Sequence, residues 1–130
     1  MIEKAFRLRY GDDLKRKLEE SCPDATAVIL SGVGCLFRYR VRLAKAVDCL
    51  EKEEDVEIVS LTGTISHGQA HAHIALSDER GDVKGGHLME GCLVNTTCEV
   101  VLGILENYGS VREHDPDTGY DEIVFQEKKI

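Results

Sequence analysis

A chain of 130 residues has room for one domain with a real core and not for two, and 42% apolar with 31% charged residues is a globular composition. No apolar run approaches the roughly 18 residues that span a bilayer, and a formal charge of −8 repels nucleic acid at long range. One domain over residues 1–130 with no membrane segment is expected, and DNA contact would need a local basic surface.

The opening "MIEKAFRLRYGDD" mixes charged and apolar side chains, unlike a secretory signal, which points to a cytoplasmic location. Within it Phe6, Leu8 and Tyr10 alternate with Arg7 and Arg9, the period-2 pattern of a half-buried strand, and Gly11 ends it. Asp12 or Asp13 then caps a helix with Leu14, Leu18 and Cys22 on one face, closed by Pro23. "TAVILSGVG" (26–34) reads as an interior strand running into a turn at Gly32 and Gly34. "CLFRYRVRLAKA" (35–46) places Cys35, Phe37, Tyr39, Val41 and Leu43 on one face and Arg38, Arg40 and Arg42 on the other. With Arg7 and Arg9 these arginines form a basic stripe, set against 24 acidic residues in the chain.

The charged stretch "DCLEKEED" (48–55) reads as a loop or a turn of helix. Further strands are expected at 56–65, 72–77, 83–88, 92–94, 97–105 and 120–126, the last preceded by the turn-forming "DPDTG" (115–119). Many strands on short connections with one helix define an α+β domain, mostly antiparallel sheet, and not a βαβ nucleotide fold. The glycines at 32 and 34 are followed by no helix start and no Lys-Ser/Thr, so they read as a turn in preference to a phosphate loop. Five cysteines, odd in number and without a CxxC pair, suit neither a disulfide framework nor a thiolate zinc site.

Three of the five histidines fall within "HAHIALSDERGDVKGGHL" (71–88). In a strand, residues two apart share a face at roughly 6.5 Å, so His71 and His73 can reach one ion. With Asp78 to Asp82 as a five-residue loop, Ser77 pairs with Val83 and every pair sums to 160, which sets His87 directly across from His73. A slip of one residue sends His87 to the other face. Three neutral imidazoles form an open site for one divalent ion per chain, Zn²⁺ first, with a water or small molecule completing the coordination. Gly85 and Gly86 leave room for close approach. His67 and His114, in turn and loop contexts, are weaker ligand candidates. Glu57 and Glu99 interrupt apolar strands; each is a candidate to orient a ligand histidine or to act as a general base, or to pair with a strand arginine.

Taken together, "FRLRYGDDL", "SGVGCL", "EIVSLTGTI", "HAHIALSDERGDVKGGHL" and "TCEVVLG" resemble the plants and prokaryotes conserved (PPC) domain family over nearly the whole chain. The resemblance implies an α+β fold dominated by antiparallel sheet and a homotrimer. His71, His73 and His87 match the histidines of the family's HxH and GGHL motifs, which are associated with a bound metal, and Glu57 and Glu99 match its strand glutamates. Plant members join this domain to an AT-hook, and prokaryotic members are described as predicted DNA-binding proteins. Here there is no Arg-Gly-Arg-Pro hook core, and "EEDV" stands before Glu57 where plant members carry an Arg-Phe pair implicated in partner recruitment. Three functions follow as expectations: a metal-binding homotrimer that takes a small anionic or polar molecule, a metal-dependent hydrolase or hydratase using Glu57 or Glu99, and a DNA-associated regulator.

Overall fold

The computed structural model describes residues 1–129. In chain order the elements are β1 (Ile2–Arg9), α1 (Leu14–Ser21), β2 (Thr26–Arg42), β3 (Cys49–Ser66), β4 (Gln69–Ser77), β5 (Val83–Leu88), β6 (Leu93–Ile104), β7 (Tyr108–His114) and β8 (Asp121–Glu127). The first six strands form one antiparallel sheet in the order β1-β6-β2-β3-β4-β5, and β7 pairs with β8 in a separate hairpin. The sheet curls until its β5 edge meets β2 again, through Val41 opposite Leu88 and Arg42 opposite His87. This contact covers the His87–Leu88 end of the β5 edge. No helix is long and apolar enough to cross a membrane.

The inward face of the curled sheet carries Ile29, Leu36, Tyr39, Val41, Val56, Ile58, Leu61, Ile65, Ile74, Leu76, Leu88, Val94, Val100 and Leu102, all buried. Helix α1 adds Leu14 and Leu18, both without exposed surface, and Cys22 follows at its end. Asp13 is its cap: one carboxylate oxygen accepts from Arg16 N–H at 3.2 Å, and the other accepts from Gly91 N–H at 2.8 Å. One residue thus starts the helix and ties it to the loop before β6. All five cysteines are free, and Cys22, Cys92 and Cys98 are buried.

Strands 26–34 and 35–46 are not separated by a turn: β2 runs unbroken from Thr26 to Arg42. A Cβ on Gly34 would collide with the Thr97 carbonyl oxygen and lie 2.6 Å from Cys98 Cα. The glycine admits a neighbouring backbone; it does not reverse the chain. The expected alternation of 35–46 is also broken. A register shift between Leu36 and Arg38 turns Leu36 inward with Tyr39 and Val41, and Phe37 stacks on Tyr10 instead, with ring centroids 4.9 Å apart.

The stretch 48–55, expected as a loop or helical turn, is the start of β3 from Cys49 onward. Its acids answer the arginines of β2: Glu53 lies opposite Arg38 and Glu51 opposite Arg40, while Arg38 donates to Glu51 and Tyr39 donates to Glu54 at 2.7 Å. Cross-strand charge pairing holds this ribbon without the apolar alternation that marks most strands. The segments 92–94 and 97–105 likewise merge into β6, and β7 was not expected at all. The β7–β8 hairpin is docked by Ser110, whose hydroxyl lies 2.6 Å from both Thr26 Oγ1 and Ser66 Oγ in a buried cluster.

Candidate metal centre

The hairpin β4–β5 has the register that the loop length dictates: Ser77 lies opposite Val83 and His73 opposite His87. Asp78 locks the connection. Its carboxylate accepts from Arg80 N–H at 2.9 Å and Asp82 N–H at 3.0 Å, and its carbonyl accepts from Gly81, which has φ +83°. Along β4 the buried residues Ala72, Ile74 and Leu76 face the core, so His71 and His73 point outward.

His87 reaches the same outward spot because β5 fits between β4 and β2. A Cβ on Gly85 would collide with the Ile74 carbonyl oxygen, and one on Gly86 would lie 2.5 Å from the Arg42 carbonyl oxygen. Neither position has space for a side chain, and this close fit delivers His87 to His71 and His73. The three ring centroids are 5.3 to 5.7 Å apart, and one nitrogen from each ring lies within 4.8 Å of the others. Tetrahedral zinc with Zn–N bonds of about 2.0 Å needs nitrogens about 3.3 Å apart, which small side-chain rotations supply. The donor set therefore fits a borderline-soft divalent ion with one position left open.

Electrostatics favour the neutral, metal-ready form of two of the rings, His87 and His71. Burial, Arg42 and the neighbouring histidines hold His87 down at about 4, and burial, His73 and Arg112 lower His71. Arg42 lies opposite His87 at the end of β2, and its guanidinium carbon sits 5.9 Å from the centroid of the Tyr120 ring. A groove of about 440 Å³ runs from His71 and His87 past Lys15, Arg42, Arg112, Tyr120 and Glu122. Another depression of about 420 Å³ borders all three histidines on the side of residues 42–46.

The other expected site residues lie elsewhere. Glu57 is opposite Ser77, four residues from His73 along β4, or about 13 Å at strand rise. It lines a separate depression with Asp55, Asp78 and Glu79. Glu99 lies on β6 opposite Arg7 and Val33. Within one chain, neither acid reaches the histidines. His67, at φ +46°, bonds through Nε2 to the Ser110 carbonyl oxygen at 2.9 Å and anchors the β7–β8 hairpin. His114 sits 3.5 Å from Asp121 in that hairpin. Sequence reasoning missed Lys15, Arg112, Tyr120 and Glu122 as neighbours of the site, and it held Arg42 only as one of a surface stripe. The β3–β4 turn brings β7 and β8 to the histidines, a contact that no local pattern announces.

A closed antiparallel sheet with one short helix and a histidine triad on a glycine-paired hairpin defines the class. Residues 3–106 match the Plants and Prokaryotes Conserved (PCC) domain, and the chain belongs to that family. It is 39% identical over 121 residues to the bifunctional protein GlmU of Synechococcus sp. (strain JA-3-3Ab), covering 91% of this chain. The chain spans about a fifth of the length of the curated relatives it matches, 20% in each case. Among solved structures, a hypothetical protein from Salmonella cholerae-suis superposes with a TM-score of 0.92 at 30% identity, over 98% of this chain and 95% of that one. The metal-containing protein AF0104 from Archaeoglobus fulgidus gives 0.73 at 27% identity, over 95% and 94%. A candidate DNA-binding protein from Bacteroides thetaiotaomicron shares the fold, with a TM-score of 0.80 at 21% identity over 98% and 93%.

Proposed function

We propose that this protein binds one divalent metal ion per chain, zinc first, through His71, His73 and His87, and receives a small molecule at the open coordination position. The observation that carries this reading is the convergence of three imidazole nitrogens within 4.8 Å on a rigid outer face. The metal-containing Archaeoglobus relative supports it. Such an ion acts as a Lewis acid toward a bound oxygen or nitrogen. The chain's own contribution is to hold three imidazoles in place and to surround the open position with Arg42, Arg112 and Glu122. Elemental analysis of the purified protein tests the reading; about one equivalent of zinc or a neighbouring transition metal is expected, and a metal-free protein that takes up none on dialysis refutes it. The hydrolase or hydratase reading is weaker, because Glu57 and Glu99 stand away from the rings.

We further propose a homotrimer, as the family resemblance implies. Leu30, Val33 and Val59 on adjacent strands β2 and β3 are 48%, 52% and 55% exposed, an apolar surface that self-association would cover. Light scattering at micromolar concentration is expected to give three times the 14.4 kDa chain mass. A monomer mass refutes it.

A DNA-associated role is the second reading, supported by the Bacteroides fold relative. Against it stands the pairing of the basic strand: Arg38 and Arg40 are engaged by Glu51. A trimer would carry about −24, three times −8, before any metal is bound. Double-stranded DNA is therefore expected to bind only at low salt and without sequence preference. Sub-micromolar, sequence-selective binding at physiological salt would put the DNA reading first.

A further inference from the structure

We propose that the β7–β8 hairpin makes the metal position a receptor for a small oxyanion, gripped by the guanidinium groups of Arg42 and Arg112. The inference deepens the metal-binding reading and rests on it for the position of the guest; the two arginines themselves line the groove. The groove volume of about 440 Å³ falls within the ~300–1,000 Å³ of small-molecule sites.

Both arginines are without an acidic partner, as are Arg7, Arg9 and Arg80 among the described residues. The arginine ion pairs among the described residues are made by Arg16, Arg38 and Arg40, and neither Arg42 nor Arg112 makes one. Arg42 is backed by the Tyr120 ring, a contact that orients a guanidinium without neutralising it. Arg112 has its Nε buried without a partner and gives only a long 3.4 Å bond from Nη1 to the Asp121 carbonyl oxygen. A guanidinium whose one hydrogen bond is long keeps donors in demand of an acceptor, which an oxyanion in the groove would supply.

The acids around the groove do not meet that demand. Glu19 is taken by Lys15 at 3.0 Å and by Ala70 N–H at 2.9 Å, and the Asp121 carboxylate lies 3.5 Å from His114 Nδ1. Glu122 remains on the rim and limits the charge of the guest. With Lys15 and Glu19 paired, Arg42 and Arg112 against Asp121 and Glu122 leave the lining near neutral without a metal and about +2 with a divalent ion, a charge that a mono- or dianion balances. Guanidinium forks bind two oxygens of a carboxylate or a phosphate in parallel, and those two groups share the chemistry this groove recognises. The three histidines and Arg42 lie inside the segment 3–106 that the family defines, while Arg112 and Tyr120 lie beyond it. Recognition of the guest is thus divided between the family core and the hairpin docked on it.

Calorimetric titration of the full chain, zinc-loaded and zinc-free, with inorganic phosphate and separately with malonate tests the proposal and tells the two sources apart. Saturable binding of at least one anion is expected, weakened tenfold or more in both Arg42→Gln and Arg112→Gln; zinc content is measured in each variant, and affinities are compared between zinc-matched samples and in the zinc-free chains. Should Arg112→Gln fail to fold, Arg112→Lys keeps the charge, loses the fork and is expected to show the same weakening. No saturable binding by the wild type at millimolar anion, or equal affinity across the variants, overturns the proposal. A chain that takes up no zinc defeats the metal reading, and the zinc-free titration then decides the arginine receptor by the same comparison.

Discussion

His73→Ala is expected to reduce the bound metal from about one ion per chain to near zero while the fold survives. The side chain is exposed on the outer face of β4, so its removal opens no cavity in the core. Two imidazoles from His71 and His87 remain, and two ligands hold a divalent ion far more weakly than three. Full metal content in the variant would show that the ligands lie elsewhere. Occupancy in the wild type should also fall with pH, because protons compete for the same nitrogens. His87 is held down at about 4 and stays neutral well below the ordinary histidine range, and His71 is lowered in the same direction. In the metal-free chain the unfolded state takes up protons first, near the ordinary value of about 6.5, while folded His87 resists until about 4. Metal-free stability is therefore complete above about 6.5 and declines as pH falls toward about 4. A metal-free unfolding midpoint that rises over that interval contradicts the assignment.

Gly85→Ala is expected to be far more damaging than an ordinary strand substitution. Overpacking a core by a methyl group costs about 1–3 kcal/mol when neighbours can shift. Here the neighbour is the Ile74 carbonyl, fixed in the β4–β5 ladder, and β2 closes against the following residue, Gly86. β5 has nowhere to retreat. A loss of roughly 3 kcal/mol or more in chemical denaturation is expected, together with loss of metal binding as His87 moves out of line. A variant of near-wild-type stability with full metal content would mean that the sheet closure is looser than the backbone separation implies.

The two predictions differ in how much of their basis could be read from the chain. The histidine geometry is a local matter. Five loop residues, 78–82, between two strands set the register, and the alternation of side chains then decides the face, so His73 opposite His87 follows from counting. The helix was equally legible, because Asp13, Leu14 and Leu18 fall at a cap and along one stripe. What Gly34, Gly85 and Gly86 do could not be read in this way. A glycine in sequence marks either a turn or a close approach of backbones, and only the packed neighbours decide between them. The acidic run 51–55 was misread for a related reason: its strand partner is the arginine segment of β2, and charge pairing across strands leaves no apolar period to find.

By itself, then, the sequence determined the antiparallel α+β class, the capped helix, and the hairpin that gathers His71, His73 and His87, because each depends on period, turn length or capping over a few residues. The tertiary structure alone decided that β5 closes on β2 and brings Arg42 beside His87. It also placed Arg112 and Tyr120 at the groove through the Ser110 cluster, and it left Glu57 and Glu99 away from the rings. Those outcomes depend on how a sheet of six strands curls and which distant backbones meet, and sheet curvature is a sum over packing contacts that no single stretch of the chain encodes.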